Sequence, residues 1–227
     1  MPESTEETLN VPPFPPLLWD TFRWVGTISL PAWAGFQSRL GAYGSVDSPS
    51  PSDGRVDLGL SVGREKGSPT SQQIAAYQHL IDNQEIIQDA ILKSVFEIYP
   101  QWQEDFGYED DEKEEYMPDL ADANDLRNLI GLSNIHLHRE YKDGVSYIGF
   151  EFGCMWDDEH GLGAMMHMGR VVDIGGADAS LLEWIAMKDG AMVDRDEVGE
   201  RERIEQFSQS RPPIEPKPTQ LDLFDSE

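Results

Sequence analysis

Between Ile135 and Gly176 the chain offers strand after strand with almost no room between them, and this crowding restricts the fold more than any other feature. A strand through Leu137 and a longer one from Val145 to Trp156 (VSYIGFEFGCMW) are separated by a Lys142-Asp143-Gly144 turn. Ala164–Met168 and Arg170–Ile174 then flank a tight turn at Gly169. Strands joined by so few residues run antiparallel, because a parallel pair needs a crossover of a dozen residues or more. Gly175-Gly176 ends the last strand, and Asp178 caps a helix through Leu181, Leu182, Trp184 and Ile185.

The first half of the chain supplies more strands and the helices to cover them. Leu17 to Trp33 is rich in aromatic and β-branched residues and reads as one or two strands ended by Pro31. Residues 42–54 are a Ser-, Pro- and Gly-rich loop, after which Val56, Leu58, Leu60 and Val62 alternate with Asp57, Gly59 and Ser61, the pattern of a half-buried strand. Thr70 with Gln73 forms a capping box, and Ile74, Tyr77, Leu80 and Ile81 share one helical face. Asp82 and Glu85 predict a break, followed by a second helix to Tyr99 that ends close to Pro100 and buries Ile87, Ile91, Leu92, Val95 and Phe96. Glu104 to Glu115 reads as a solvated acidic loop, and a short helix follows around Asp119–Leu129. The fold class is α+β: a mainly antiparallel sheet from the 17–62 and 135–174 regions, packed by the 70–100 and 178–187 helices.

The ends have a different character. Residues 1–16 are acidic and then proline-rich (VPPFPP) and are expected to be disordered; the domain spans 17–188; 189–227 is a charged, proline-rich tail. Six Trp, seven Tyr and nine Phe are enough for a packed core. The 43 Asp and Glu against 17 Lys and Arg give a net charge of −26, a field that repels nucleic acid and anionic lipid and attracts basic proteins. It also serves solubility alone. Cys154 is the only cysteine, so no intramolecular disulfide forms. The start MPESTEETLN lacks an apolar core, and no apolar run approaches the length of a membrane span, which together predict a cytoplasmic protein.

Two readings attach to Trp156-Asp157-Asp158-Glu159-His160-Gly161-Leu162-Gly163. As a site, Asp157 and Glu159 favour the charged form of His160, making it an acid or base. As a turn, the acids cap the backbone, His160 orients it, and the glycines permit positive φ. The second reading is preferred, so no catalytic residue is assigned. His136 and His138 share one strand face and, with His160 and His167, form a conceivable ligand set, yet no metal-binding spacing is present, and no metal or other cofactor is expected. Cys154, inside an apolar strand, reads as a small core residue. Gly175-Gly176 reads as a turn rather than a phosphate cradle. The acidic run around Asp110 is a solvated surface or an imitation of DNA phosphates.

Two resemblances add to this. The W-D-D-E-H-G-L-G turn with the following V-V-D-I-G-G-A-D, together with PTSQQIAAYQHLIDNQEIIQDAILKSVFEIYP and the Trp-rich start, resembles an uncharacterised bacterial domain family. That resemblance implies an α+β domain without assigned chemistry, some of whose members look like immunity proteins of toxin systems. In the tail, Gln220-Leu221-Asp222-Leu223-Phe224 resembles the pentapeptide by which bacterial polymerases and repair proteins hold the sliding clamp, with all five positions matching Q-L-S/D-L-F. The resemblance implies that Gln220 hydrogen-bonds in a polar pocket, Leu221 supports it, and Leu223 with Phe224 fill an apolar cleft. The function expected is a non-enzymatic acidic adaptor or inhibitor docked on the clamp. The alternatives are an immunity-type protein neutralising a basic toxin such as a nuclease, and an enzyme using His160.

Overall fold

The alternation that begins at Val56 does what its period requires. Val56, Leu58 and Leu60 of strand β6 (Arg55–Leu60) are buried on one face, and Asp57 points away from it. Around β6 the computed structural model, which describes residues 7–39, 45–63 and 66–193, places a twisted sheet. Its strands run β1 (Thr8–Leu9), β2 (Leu17–Trp19), β3 (Trp24–Ser29), β6, β7 (Ile130–Lys142), β8 (Val145–Cys154), β9 (Leu162–His167) and β10 (Arg170–Gly175), in that spatial order. Neighbours are antiparallel throughout, except β6 and β7, which pair parallel from Asp57↔Asn134 to Leu60↔Leu137. The short β4 (Ser38–Arg39) and β5 (Val46–Ser48) form a separate ribbon, and β11 (Met192–Val193) pairs with Tyr141 and Glu140 of β7. The α+β class and its dominant antiparallel pairing are as the sequence predicts.

The connection between β6 and β7 carries the helices that cover one face. Helix α1 (Ser71–Asp82) starts with the anticipated box: Gln73 N donates to Thr70 Oγ1 at 3.2 Å and Thr70 N to Gln73 Oε1 at 3.0 Å. Gln73 is itself buried, and its Nε2 donates to the carbonyls of Ser61 and His138, stitching helix to sheet. Helix α2 (Gln84–Phe106) follows at once and buries Ile87, Ile91, Leu92, Val95 and Tyr99 in the same apolar core that holds Ile148, Phe150 and Phe152 of β8.

Three local expectations fail, each for a tertiary reason. Helix α2 runs through Pro100 to Phe106 because its last turns are pinned: Tyr99 and Trp102 lie against Trp156 with ring centroids 5.5 and 6.0 Å away, and Gln103 Nε2 donates to Met117 O at 2.7 Å. The acidic run is not a loop. It forms α3 (Asp110–Tyr116), whose first turn carries Asp110, Asp111 and Glu112, where the helix dipole favours negative charge. Residues 7–16 join the fold rather than standing apart from it, since Thr8–Leu9 pair with β2 and Phe14 packs on Tyr77 at 4.6 Å. Two helices are also less regular than expected. Residues Ala123–Asn128 and Ala177–Ser180 are 3₁₀ turns, and Gly176 rather than Asp178 caps the second.

On the opposite face, the described residues that follow β10 cover β7 to β10. There the 3₁₀ turn Ala177–Ser180 and helix α4 (Glu183–Lys188) bury Ala179, Ile185 and Ala186 on Tyr147 and Met165. Gly149 makes this approach possible: a Cβ there would lie 1.8 Å from Ser180 O. No helix among the described residues is long and apolar enough to cross a membrane.

Candidate functional site

The 156–163 turn joins β8 to β9 and is built around Asp157. Its Oδ1 accepts from His160 N at 2.9 Å and from His160 Nδ1 at 3.0 Å, while its carbonyl accepts from Gly161 N. Gly161 sits at φ +61, and a Cβ there would lie 2.7 Å from Phe152 O, so glycine is required twice over. Gly163 has no such φ; its need is close approach, with Gly176 O 2.5 Å from where a Cβ would stand. Ala177 N donates to His160 O, so the two segments of the signature, W-D-D-E-H-G-L-G and I-G-G-A-D, meet in space.

This geometry leaves one chemically open atom. With Nδ1–H donated to Asp157, His160 Nε2 faces solvent on a side chain that is 73% exposed. The neighbouring thiol is not available to it. Cys154 is buried, its Sγ–H is engaged by Asp157 O at 3.4 Å, and burial pushes its thiol up to about 12. Glu159 is exposed and makes none of the hydrogen bonds that organise the turn.

The turn is instead part of a larger acidic surface. Tyr108 Oη donates to Trp156 O at 3.0 Å, and Tyr108 packs on Tyr116 of α3 at 5.5 Å. Burial first, then Asp157, Asp158 and Glu112, raise the Tyr108 phenol, while Glu115 leads the same effect at Tyr116. Those shared neighbours place the acids of α3 and the acids of the turn on one surface, two segments that lie far apart in the sequence. Lys113 pairs with Asp119 at 2.7 Å.

The four histidines weighed as a ligand set go to separate partners. His138 is buried, Nε2 donates to Ser180 O at 2.8 Å, and burial lowers it to about 4. Its Nδ1 stands 3.8 Å from Glu140 Oε2, an ion-pair distance, but burial disfavours charge on both groups, pushing Glu140 up as it pushes His138 down. His167 Nε2 is 2.9 Å from Lys142 O, and His160 stays with Asp157. No group of three or more His, Cys, Asp or Glu among the described residues is arranged to hold a metal ion.

His136 belongs to a network that sequence reasoning missed. Arg23 Nη1 donates to His136 Nδ1 at 3.0 Å, so Nε2 carries the proton and meets Glu151 Oε2 at 2.7 Å. Arg23 lies over Gly59, where a Cβ would stand 2.8 Å from Nη1 and crowd the guanidinium. The Gly59 in an alternating strand was the available signal. One neutral tautomer satisfies both ring nitrogens, so the network orients Arg23 without leaving a free base.

Gln220, Leu221, Asp222, Leu223 and Phe224 lie outside the described residues. No curated protein and no solved structure matches the chain. Residues 44–182 match a family described as Domain of unknown function (DUF6985), a stretch that holds β5 to β10, both covering helices and the whole 156–163 turn. The chain belongs to this family.

Proposed function

We propose that the protein is a non-catalytic adaptor or inhibitor of the cytoplasm, tethered to the bacterial sliding clamp by Gln220-Leu221-Asp222-Leu223-Phe224. The observation that carries this reading is the five-position match near the chain end, after the proline-rich RPPIEPKPTQ. Supporting it, the polar groups of the W-D-D-E-H turn and of the Arg23–His136–Glu151 network serve mainly to hold backbone and side chains in place. A peptide of residues 216–227 binds purified clamp with micromolar affinity, about −8 kcal/mol. Leu223 and Phe224 supply most of that, at about 1.5–3 kcal/mol each. Calorimetry with both changed to Ala shows no binding, whereas Asp222→Ser is near neutral. Absence of heat and of competition with a known clamp ligand at high micromolar peptide defeats the reading.

A second reading rests on the acidic surface. The joining of α3 to the 157–159 turn supports an immunity-type role, in which this face blocks a basic toxin such as a nuclease. Such a complex weakens steeply with salt, while clamp docking through apolar side chains does not. An enzyme using His160 with Asp157 and Glu159 remains the third; it requires an activity that His160→Ala removes without lowering the melting temperature.

A further inference from the structure

Arg23 is held in place by more than a surface arginine needs. Nη1 donates to His136 Nδ1 at 3.0 Å, and the His136 side chain, 4% exposed, is fixed in turn by Glu151. Nε stands 3.8 Å from Asp20 Oδ2, and Nη2 makes no hydrogen bond among the described residues. Ordering a long side chain costs entropy, and ordering it before a ligand arrives removes that cost from binding. A guanidinium held this way, with N–H donors unspent, is suited to a carboxylate. It lines a cleft of about 320 Å³ over β3, β6 and β7, together with Asp20, Thr27, Asp57, Gly59 and Asn134. That volume lies at the small end of ligand pockets.

Across the cleft from Arg23 the strand register lines up three oxygen acceptors. Thr27 pairs with Asp57 between β3 and β6, and Asp57 with Asn134 between β6 and β7, so their side chains form one row on one face. Thr27 Oγ1 donates to Asp57 Oδ1 at 3.4 Å, and Asn134 Nδ2 to Ser133 Oγ at 3.4 Å, which leaves Asp57 Oδ2 and Asn134 Oδ1 unspent among the described residues. Asp57 enters no ion pair among them. A carboxylate, a hydroxyl and an amide oxygen match the three N–H donors of an ammonium. The guanidinium lies over Gly59, two residues along β6 from Asp57, which puts about 6.6 Å of strand between the two ends. A ligand whose opposite charges are one carbon apart, with a hydrogen bond of about 2.8 Å at either end, spans that gap. A phosphate offers nothing to the acceptor row, and a simple amine leaves Arg23 unmatched.

We infer that the cleft binds a free α-amino acid, its carboxylate on Arg23 Nη2 and its ammonium on Asp57, Thr27 and Asn134. A second cleft, of about 420 Å³, shares Thr27 and Asp57 and adds the hydroxyls of Ser48, Ser50 and Ser52, which gives room to a polar, uncharged side chain. The inference is independent of what the tail or the acidic surface binds.

Calorimetry on the full chain with L-serine, L-asparagine and L-glutamine, each to about 10 mM, tests it; at least one binds with Kd on the order of 100 μM. The N-acetyl derivative of that amino acid, which lacks the ammonium, and its carboxamide, which lacks the carboxylate, each bind about tenfold more weakly or worse. Arg23→Gln and Asp57→Asn weaken binding by a similar factor. Gly59→Ala does so without removing a charge, because the added Cβ crowds Nη1 from 2.8 Å. Asp57 is exposed, so Asp57→Asn melts within about 2 °C of the parent by circular dichroism, which separates loss of ligand from loss of fold. No heat from any of the three amino acids overturns the inference. So does binding that Arg23→Gln and Asp57→Asn leave intact, or binding that survives removal of either charge from the ligand.

Discussion

The two ends of β8 use the same kinds of side chain for opposite purposes. At its start, Asp189 accepts from Tyr147 Oη at 2.7 Å and from Arg170 Nη2 at 2.5 Å, with Lys142 Nζ 3.5 Å away, while nearby His138 is buried against Ser180 O. At its end, Asp157 holds His160, and the imidazole stands in solvent among further acids. In the first place these groups hold the 3₁₀ turn and α4 to the sheet. In the second a backbone turn is held by one carboxylate, and Asp158 and Glu159 beside it are exposed. An Asp and a His close together therefore say nothing about role until burial is known.

Breaking the first end should have the largest effect. Gly149→Val drives a side chain into Ser180 O and lifts the 177–188 segment, costing about 3 kcal/mol or more by denaturant unfolding. Acid comes next. His138 has its ordinary pKa of 6.5 when unfolded and about 4 when folded, so the unfolded state binds the extra proton between those values. Its contribution is complete above pH 6.5 and is lost as pH falls to 4, a decline on the order of 3 kcal/mol. A pH–stability profile lacking that limb in the parent, or keeping it in His138→Asn, would contradict the assignment.

Smaller changes sharpen the contrast. Asp189→Ala strands the Tyr147 hydroxyl and two cations and should cost about 2 kcal/mol. The Arg170 guanidinium, foremost, holds the Asp189 carboxyl down to about 2 from 3.8, so what it adds is present above pH 3.8 and lost as pH approaches 2. At the other end Asp157→Ala should cost only about 1 kcal/mol, the worth of a turn cap. His160→Ala should change thermal stability by about 0.5 kcal/mol or less, because the ring is exposed. A loss at His160 equal to that at Asp189 would erase the distinction between the two ends.

What the sequence could convey follows the same division between local and long-range causes. The alternation at Val56–Leu60, the Thr70–Gln73 box and the turn at Gly169 are written in neighbouring residues, and each forms where expected. Helix α2 continuing through Pro100 depends on Trp156, more than fifty residues away, and the ordering of Thr8, Leu9 and Phe14 depends on β2 and Tyr77. Local propensity cannot register either. The 156–163 turn was legible as a turn, but its union with α3 runs through one Tyr108 hydrogen bond. Arg23 comes from the turn between β2 and β3, His136 from β7 and Glu151 from β8, and together they show no motif at all.

The single parallel seam in the sheet sets an order of assembly. β7 to β10 are linked by hairpins and close over short loops, as do β1 to β3. Asp57 meets Asn134 only after both long helices between them have been gathered in, and chain closure costs about 0.6 kcal/mol more for each doubling of loop length. Pairing of β6 with β7 is thus the slow, non-local step, and until it happens the chain is two ribbons with open edges facing one another. The helix pair between those two strands does double service: it supplies apolar cover for the finished sheet, and by docking on β7, β8 and β10 it carries β6 to its partner.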